Sequence, residues 1–254
     1  MIYLLLSAAS TYFGLSTGLG ATTLLRPLLD AVSPVSFSSA ATLCTVATLG
    51  AALISAFFAL SQPLPLHQDE LILLATGAAL GGVLGDLIAS RFALMIPHES
   101  VLLLSNALLF ALVALPAVYF GTLCRTLQPL SITRLASFPV ALLIGLFASF
   151  LAFGAEPLTL TLYFLLFDAD NDEAAAAALT IALFSMTGKL ITLLIRQRLQ
   201  IPDADVLLWL LPGAIGGAVL SMLAFFRHPS QRSSDMLLRL SLFTAAINMA
   251  AAIA

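Results

Sequence analysis

The stretch Gly18-Leu19-Gly20-Ala21-Thr22-Thr23-Leu24-Leu25-Arg26-Pro27 decides how this chain is read, together with its echo Ala152-Phe153-Gly154-Ala155-Glu156-Pro157-Leu158-Thr159-Leu160-Thr161. Gly20 and Gly154 stand 134 positions apart. Each stretch interrupts an apolar segment with glycine and carries one ionisable residue, Arg26 or Glu156, where a charge is costly. Backbone that leaves the helix at membrane depth is tolerated only where protein buries it or where it lines a cavity. Interrupted segments at corresponding places in two halves point to a solute site between them.

Composition sets the frame around those breaks. The chain is 61% hydrophobic and 9% charged, with a mean hydropathy of +1.08. Soluble domains carry about 25% charged residues, so this chain cannot cover a water-facing surface and its medium is the lipid bilayer. Ten Lys plus Arg against thirteen Asp plus Glu leave a net charge of −3, which excludes the basic stripe a nucleic-acid binder needs. Two cysteines, Cys44 and Cys124, are too few for a disulfide framework. Met1-Ile2-Tyr3-Leu4 has no basic leader, so it reads as the start of a retained first helix.

About 20 apolar residues cross the ~30 Å hydrocarbon core. Eight segments approach that length: 1–29, 36–60, 70–90, 100–120, 137–167, 173–195, 204–226 and 235–253. Polar and proline-bearing breaks separate them, such as Gln62-Pro63-Leu64-Pro65 and Asp168-Ala169-Asp170-Asn171-Asp172-Glu173. The first and fifth segments are the long ones and hold the glycine breaks. Each is either one tilted helix with an unwound middle or a re-entrant pair of half-helices. A shift of about 135 places Gly81-Gly82 on Gly216-Gly217 and Leu66-His67-Gln68-Asp69 on Ile201-Pro202-Asp203-Ala204. The expected fold is therefore an all-α polytopic membrane protein. It has two homologous four-segment halves, 1–120 and 137–254, joined by a connector at 121–136. Arginines divide equally between the two faces under either topology, so the loops carry no orientation signal.

Gly18-Leu19-Gly20-Ala21-Thr22-Thr23-Leu24-Leu25-Arg26-Pro27-Leu28-Leu29 resembles the N-terminal signature of the sulfite exporter TauE/SafE family, and Phe153-Gly154-Ala155-Glu156-Pro157-Leu158 resembles the same signature restarted. Segment count and duplication extend the resemblance over essentially the whole chain. The usual run of three glycines is here Gly20-Ala21-Thr22 and Gly154-Ala155-Glu156, and the closing proline of the second copy is Thr161. Those departures bear on the substrate more than on the fold. The resemblance implies a transporter rather than an enzyme. It implies movement of small anions, notably sulfite and sulfur-containing organic acids, across a bacterial inner membrane, without a cofactor. The expected partners are a small anionic substrate, lipid and, as one assembly option, a second copy of the chain.

The residues themselves suggest how an anion would be held. An unwound stretch exposes N–H groups, and a half-helix starting there presents its positive end. Gly18, Gly20, Ala21, Thr22 and Thr23 form that start in the first half, Gly154, Ala155 and Glu156 in the second, and Ser16 and Thr17 add hydroxyls. Arg26 offers a planar fork of donors suited to sulfonate, sulfite or carboxylate oxygens; the competing role is snorkelling to the head groups. Glu156 sits in an uncharged run from Phe138 to Phe167. Burial there suits a proton-coupling group, and the alternative is a salt bridge to Arg26 or Lys189. Ser185 and Lys189, spaced i and i+4, share a helix face, and Asp86 is a further intramembrane charge that could pair with Lys189 or Arg91. Thr42, Thr45 and Thr48 form a hydroxyl row that either lines a pathway or bonds back to its own helix. Gly81, Gly82, Gly216 and Gly217 read as helix-packing positions. A second function class, a membrane thiol redox carrier using Cys44 and Cys124, requires a reactive thiolate in an electropositive setting. Neither cysteine has such a sequence context.

Overall fold

A computed structural model describes residues 1–17, 20–32, 37–59, 65–95, 107–108, 111, 114–115, 118–119, 129–152, 156–196 and 204–227. Within them the chain forms α1 (Ile2–Thr17), α2 (Ala21–Val32), α3 (Phe37–Ala59), α4 (Gln68–Met95), a 3-10 turn (Arg134–Ala136), α5 (Ser137–Leu151), α6 (Glu156–Phe167), α7 (Asn171–Ile195) and α8 (Ala204–Arg227). No strand occurs among the described residues. The expected segments at 100–120 and 235–253 lie largely or wholly outside them, as does Cys124. Helix starts follow local chemistry: Asp170 caps α7 by accepting from the backbone N–H groups of Asp172 (3.0 Å) and Glu173 (2.8 Å). Among the described residues, five stretches are long and apolar enough to cross a membrane: Ser39–Ala59, Gln68–Phe92, Arg134–Leu151, Asn171–Ile195 and Asp205–Ala224. Their outward faces are apolar, as at Leu53, Phe57, Ile72, Leu143 and Leu208. This is an all-α polytopic membrane protein.

The two glycine-broken segments double back. Ser137, the first residue of α5, and Tyr163, well along α6, both donate to the same carboxylate, Glu70 (3.3 and 3.2 Å). The end of α6 therefore returns to the face from which α5 set out. Leu130 and Ile132 reinforce that return by donating to the Leu165 and Leu166 carbonyls (2.8 and 2.7 Å), oxygens that the helix end leaves without a partner. In the first half, α2 packs against α1, and its Leu25 and Leu29 share a cluster with Tyr3 at the start of α1. At 12 residues each, α2 and α6 rise about 18 Å, too little to cross.

The hairpins enter from opposite faces. Arg134 joins Glu70 and Glu173, so α4, α5 and α7 all begin on one face, and Arg196 reaches Ser90 near the far ends of α7 and α4. Arg196 and Ala204 are eight Cα steps apart, at most about 29 Å and short of the ~30 Å hydrocarbon core, so α8 begins on the face where α7 ends. Along α8, Gly213 abuts Leu4, Ser7 and Ala8, and Gly217 abuts Ala8 and Thr11; α1 therefore runs parallel to α8. The hairpin α1–α2 enters beside the end of α7, and α5–α6 beside its start.

Glycine decides which helices touch. Gly77, Gly81 and Gly85 lie against the Phe138, Leu142 and Leu146 carbonyls of α5, where a side chain would strike backbone. Gly213 and Gly217 do the same against Leu4 and Ala8 of α1. α5 thus packs chiefly on α4, and α1 chiefly on α8. Gly82 meets Ser185 of α7, and Gly216 faces open space.

Candidate functional site

The two breaks meet. Gly20 has a φ of 82°, a left-handed conformation that glycine adopts without penalty. That turn lets its N–H reach back to the Gly14 carbonyl (3.0 Å) and close the end of α1. Any Cβ on Gly20 would occupy the space taken by the Glu156 carboxyl group, so that carboxyl lies directly on the Gly20 backbone. Glu156 is the first residue of α6 and Ala21 the first of α2. The starts of two half-helices from opposite hairpins therefore converge in the interior. Gly18, Gly154 and Ala155 lie outside the described residues.

Around this point the first turn of α2 is closed off from the exterior: Ala21, Thr22 and Thr23 are buried. Thr48 of α3 donates to the Thr22 hydroxyl (3.1 Å) and to its own Cys44 carbonyl (2.8 Å). Thr45 bonds back to Ala41 (2.7 Å), so of that pair only Thr48 reaches across to the break. Ser16 turns away from it, to the Tyr12 carbonyl (2.6 Å) and Ser221 of α8 (3.0 Å).

The charged side chains are interior. Arg26 is 4% exposed, which removes the snorkelling alternative; it has partners, while its Nη1 carries no hydrogen bond. Lys189 is buried and donates to the Ser149 carbonyl, in the last turn of α5, so the ammonium caps a half-helix end. It lies within Coulombic reach of Asp86, Arg26 and Cys44. Ser185, on the same face of α7, is buried and bonds the Ala182 carbonyl (3.3 Å). Glu156 is 8% exposed, and its Oε2 has no hydrogen-bond partner. Among the described residues it forms no ion pair with Arg26 or Lys189, so the salt-bridge alternative fails for both. Cys44 is fully buried in the Leu25–Leu43–Leu210 cluster.

One constellation escaped the sequence. Glu70, buried in the first turn of α4, accepts from Arg134 Nη1 (2.8 Å), Ser137 and Tyr163, while Arg134 also reaches Glu173 (3.3 Å). It closes the mouth of the α5–α6 hairpin. These five residues belong to four separate segments, and no local spacing links them.

A bundle of lipid-facing helices with two oppositely inserted, broken hairpins that meet around buried charges has the architecture of a membrane transporter. The family described as sulfite exporter TauE/SafE matches residues 3–249, nearly the whole chain. This chain belongs to the sulfite exporter TauE/SafE family, whose members are membrane transporters rather than enzymes. No curated protein and no solved structure matches it.

Proposed function

We propose that this protein carries a small sulfur oxyanion, sulfite or a sulfur-containing organic acid, across a bacterial inner membrane by alternating access. The observation that carries the proposal is the convergence of the α2 and α6 starts beside buried Arg26. The first N–H groups of α2 have no partner within their own helix, and the helix dipole makes that end attractive to an anion. Thr22 and Thr23 add hydroxyl donors, and Arg26, one and a half turns along the same helix, supplies the charge and a bidentate fork. The family assignment supports an anion as the cargo.

Inverted repeats account for the two mouths. Residues 1–120 and 137–254 form the repeats, and each hairpin opens towards one face while the site between them stays fixed. In this scheme Gly18, Gly154 and Ala155 complete the broken backbone around the solute. Labelled sulfite flux in proteoliposomes tests the proposal. Saturable uptake above protein-free vesicles, retained after Cys44→Ala and Cys124→Ala are combined, is the expected result. Absent uptake overturns the transport reading, and uptake that vanishes with the cysteines returns the redox carrier to consideration.

A further inference from the structure

We infer that Glu156 is a proton-binding site at the junction of the two breaks, and that a proton bound there accompanies the anion through the protein. The inference rests on the anion-transport reading and adds a second cargo to it. Its first support is geometric. Glu156 Oε2 is buried without a hydrogen bond, the carboxyl lies on the Gly20 backbone of the opposite hairpin, and no ion pair holds it among the described residues. That free, buried oxygen is a place where a proton can bind when further negative charge arrives beside it.

The second support is charge balance. The buried charged side chains among the described residues are Arg26, Glu70, Asp86, Glu156 and Lys189. Glu70 belongs to the mouth and is matched by Arg134. The remaining four cancel when all are ionised. An anion entering that neutral interior adds an uncompensated negative charge, whose desolvation is costly. One proton per monoanion restores neutrality. The other buried ionisable groups on the neighbouring helices are Arg26 of α2, Cys44 of α3, Asp86 of α4 and Lys189 of α7, and among the described residues none of them acts on the Glu156 charge. Asp86 faces Lys189, and Lys189 faces Arg26 and Cys44. Glu156 stands outside that set, so it is the acceptor.

The proton comes from water on the loading face, binds a carboxylate oxygen of Glu156, and leaves to water on the other face after the anion; no bond other than O–H forms or breaks. Because Glu156 touches the Gly20 backbone, its loss of charge also removes repulsion between the carboxylate and an anion at the start of α2. Proton and anion binding therefore favour one another.

The test is labelled sulfite uptake at one fixed outside pH, into vesicles whose inside pH is equal or one unit higher, with protein-free vesicles subtracted. The fixed outside pH keeps the ionic form offered to the protein constant. Wild type should show a faster initial rate of sulfite uptake against the alkaline interior than at equal pH. An imposed membrane potential should leave the rate unchanged, since a proton with the hydrogensulfite monoanion is neutral. Glu156→Gln should keep uptake driven by sulfite's own gradient and lose the response to pH, and Glu156→Asp should restore part of it. Wild-type uptake that ignores the pH step, or a Glu156→Gln variant that still responds, overturns the proton site while leaving transport intact. No wild-type uptake at either pH overturns the transport reading itself. The wild-type arm decides the matter even where a variant fails to fold.

Discussion

Arg26 carries the sharpest single-residue consequence. It is buried on α2 beside the break, where a guanidinium keeps its charge and presents donors in a plane. Arg26→Lys retains the charge and loses the fork, so sulfite affinity should fall about tenfold, the value of one charged hydrogen bond. Arg26→Ala should weaken it by 100-fold or more, on the order of the 2–5 kcal/mol that an interior charge loses with its partner. Calorimetric titration of the detergent-solubilised protein with sulfite reads both. Equal affinity in all three proteins would assign the anion to the α2 N–H groups alone. Sequence made Arg26 and Glu156 visible because each is a charge in an apolar run. It could not choose between ligand and snorkelling anchor for Arg26, or between acid and ion-pair partner for Glu156, since both choices depend on where the helix ends in space.

At the scale of elements, the polar mouth holds together pieces that the chain order keeps apart. Glu70 starts α4, Arg134 and Ser137 precede and begin α5, Tyr163 lies on the returning α6, and Glu173 starts α7. Arg134→Ala leaves Glu70 buried beside Ser137 and Tyr163 without its cation, so the melting temperature should drop. Glu70→Gln in the same chain should recover part of that drop, because a neutral amide tolerates the site and the two changes share one interaction. Full additivity in a thermal melt would show that the pair contributes nothing to the mouth. Helices themselves were legible from apolar length, and the Asp170 cap from its acidic run. Partner choice was not. In lipid every segment is apolar, and what selects neighbours is the fit of small residues against backbone. Gly81 reads as a packing position in the sequence, which does not reveal that it meets α5 together with Gly77 and Gly85.

Over the whole molecule, the two hairpin mouths occupy corresponding places and differ in chemistry. On the face where α7 starts, the mouth is the Glu70–Arg134–Ser137–Tyr163 network; on the other it is the apolar group of Tyr3, Leu29, Val206 and Leu207. Gly20 and Glu156 lie between them. Both mouths are shut, with Ser137 and Leu29 fully buried. If the hairpins gate alternately around one site, the mouths must not open together, because joint opening would leak ions, and the state with both shut lies between the two open ones. Single cysteines in place of Ser137 and of Leu29, each in a chain with Cys44→Ala and Cys124→Ala, should therefore label reciprocally with a water-soluble maleimide. Conditions that raise labelling at one position, such as adding sulfite or neutralising the polar mouth with Glu70→Gln and Arg134→Gln together, should lower it at the other. The polar mouth should loosen with salt and the apolar one should not, since screening weakens ion pairs and leaves apolar contacts intact. Labelling that rises at both positions together would indicate a continuous pore. Labelling unchanged at both would move the gates to other parts of the chain, and the hairpins would then hold the site without opening it.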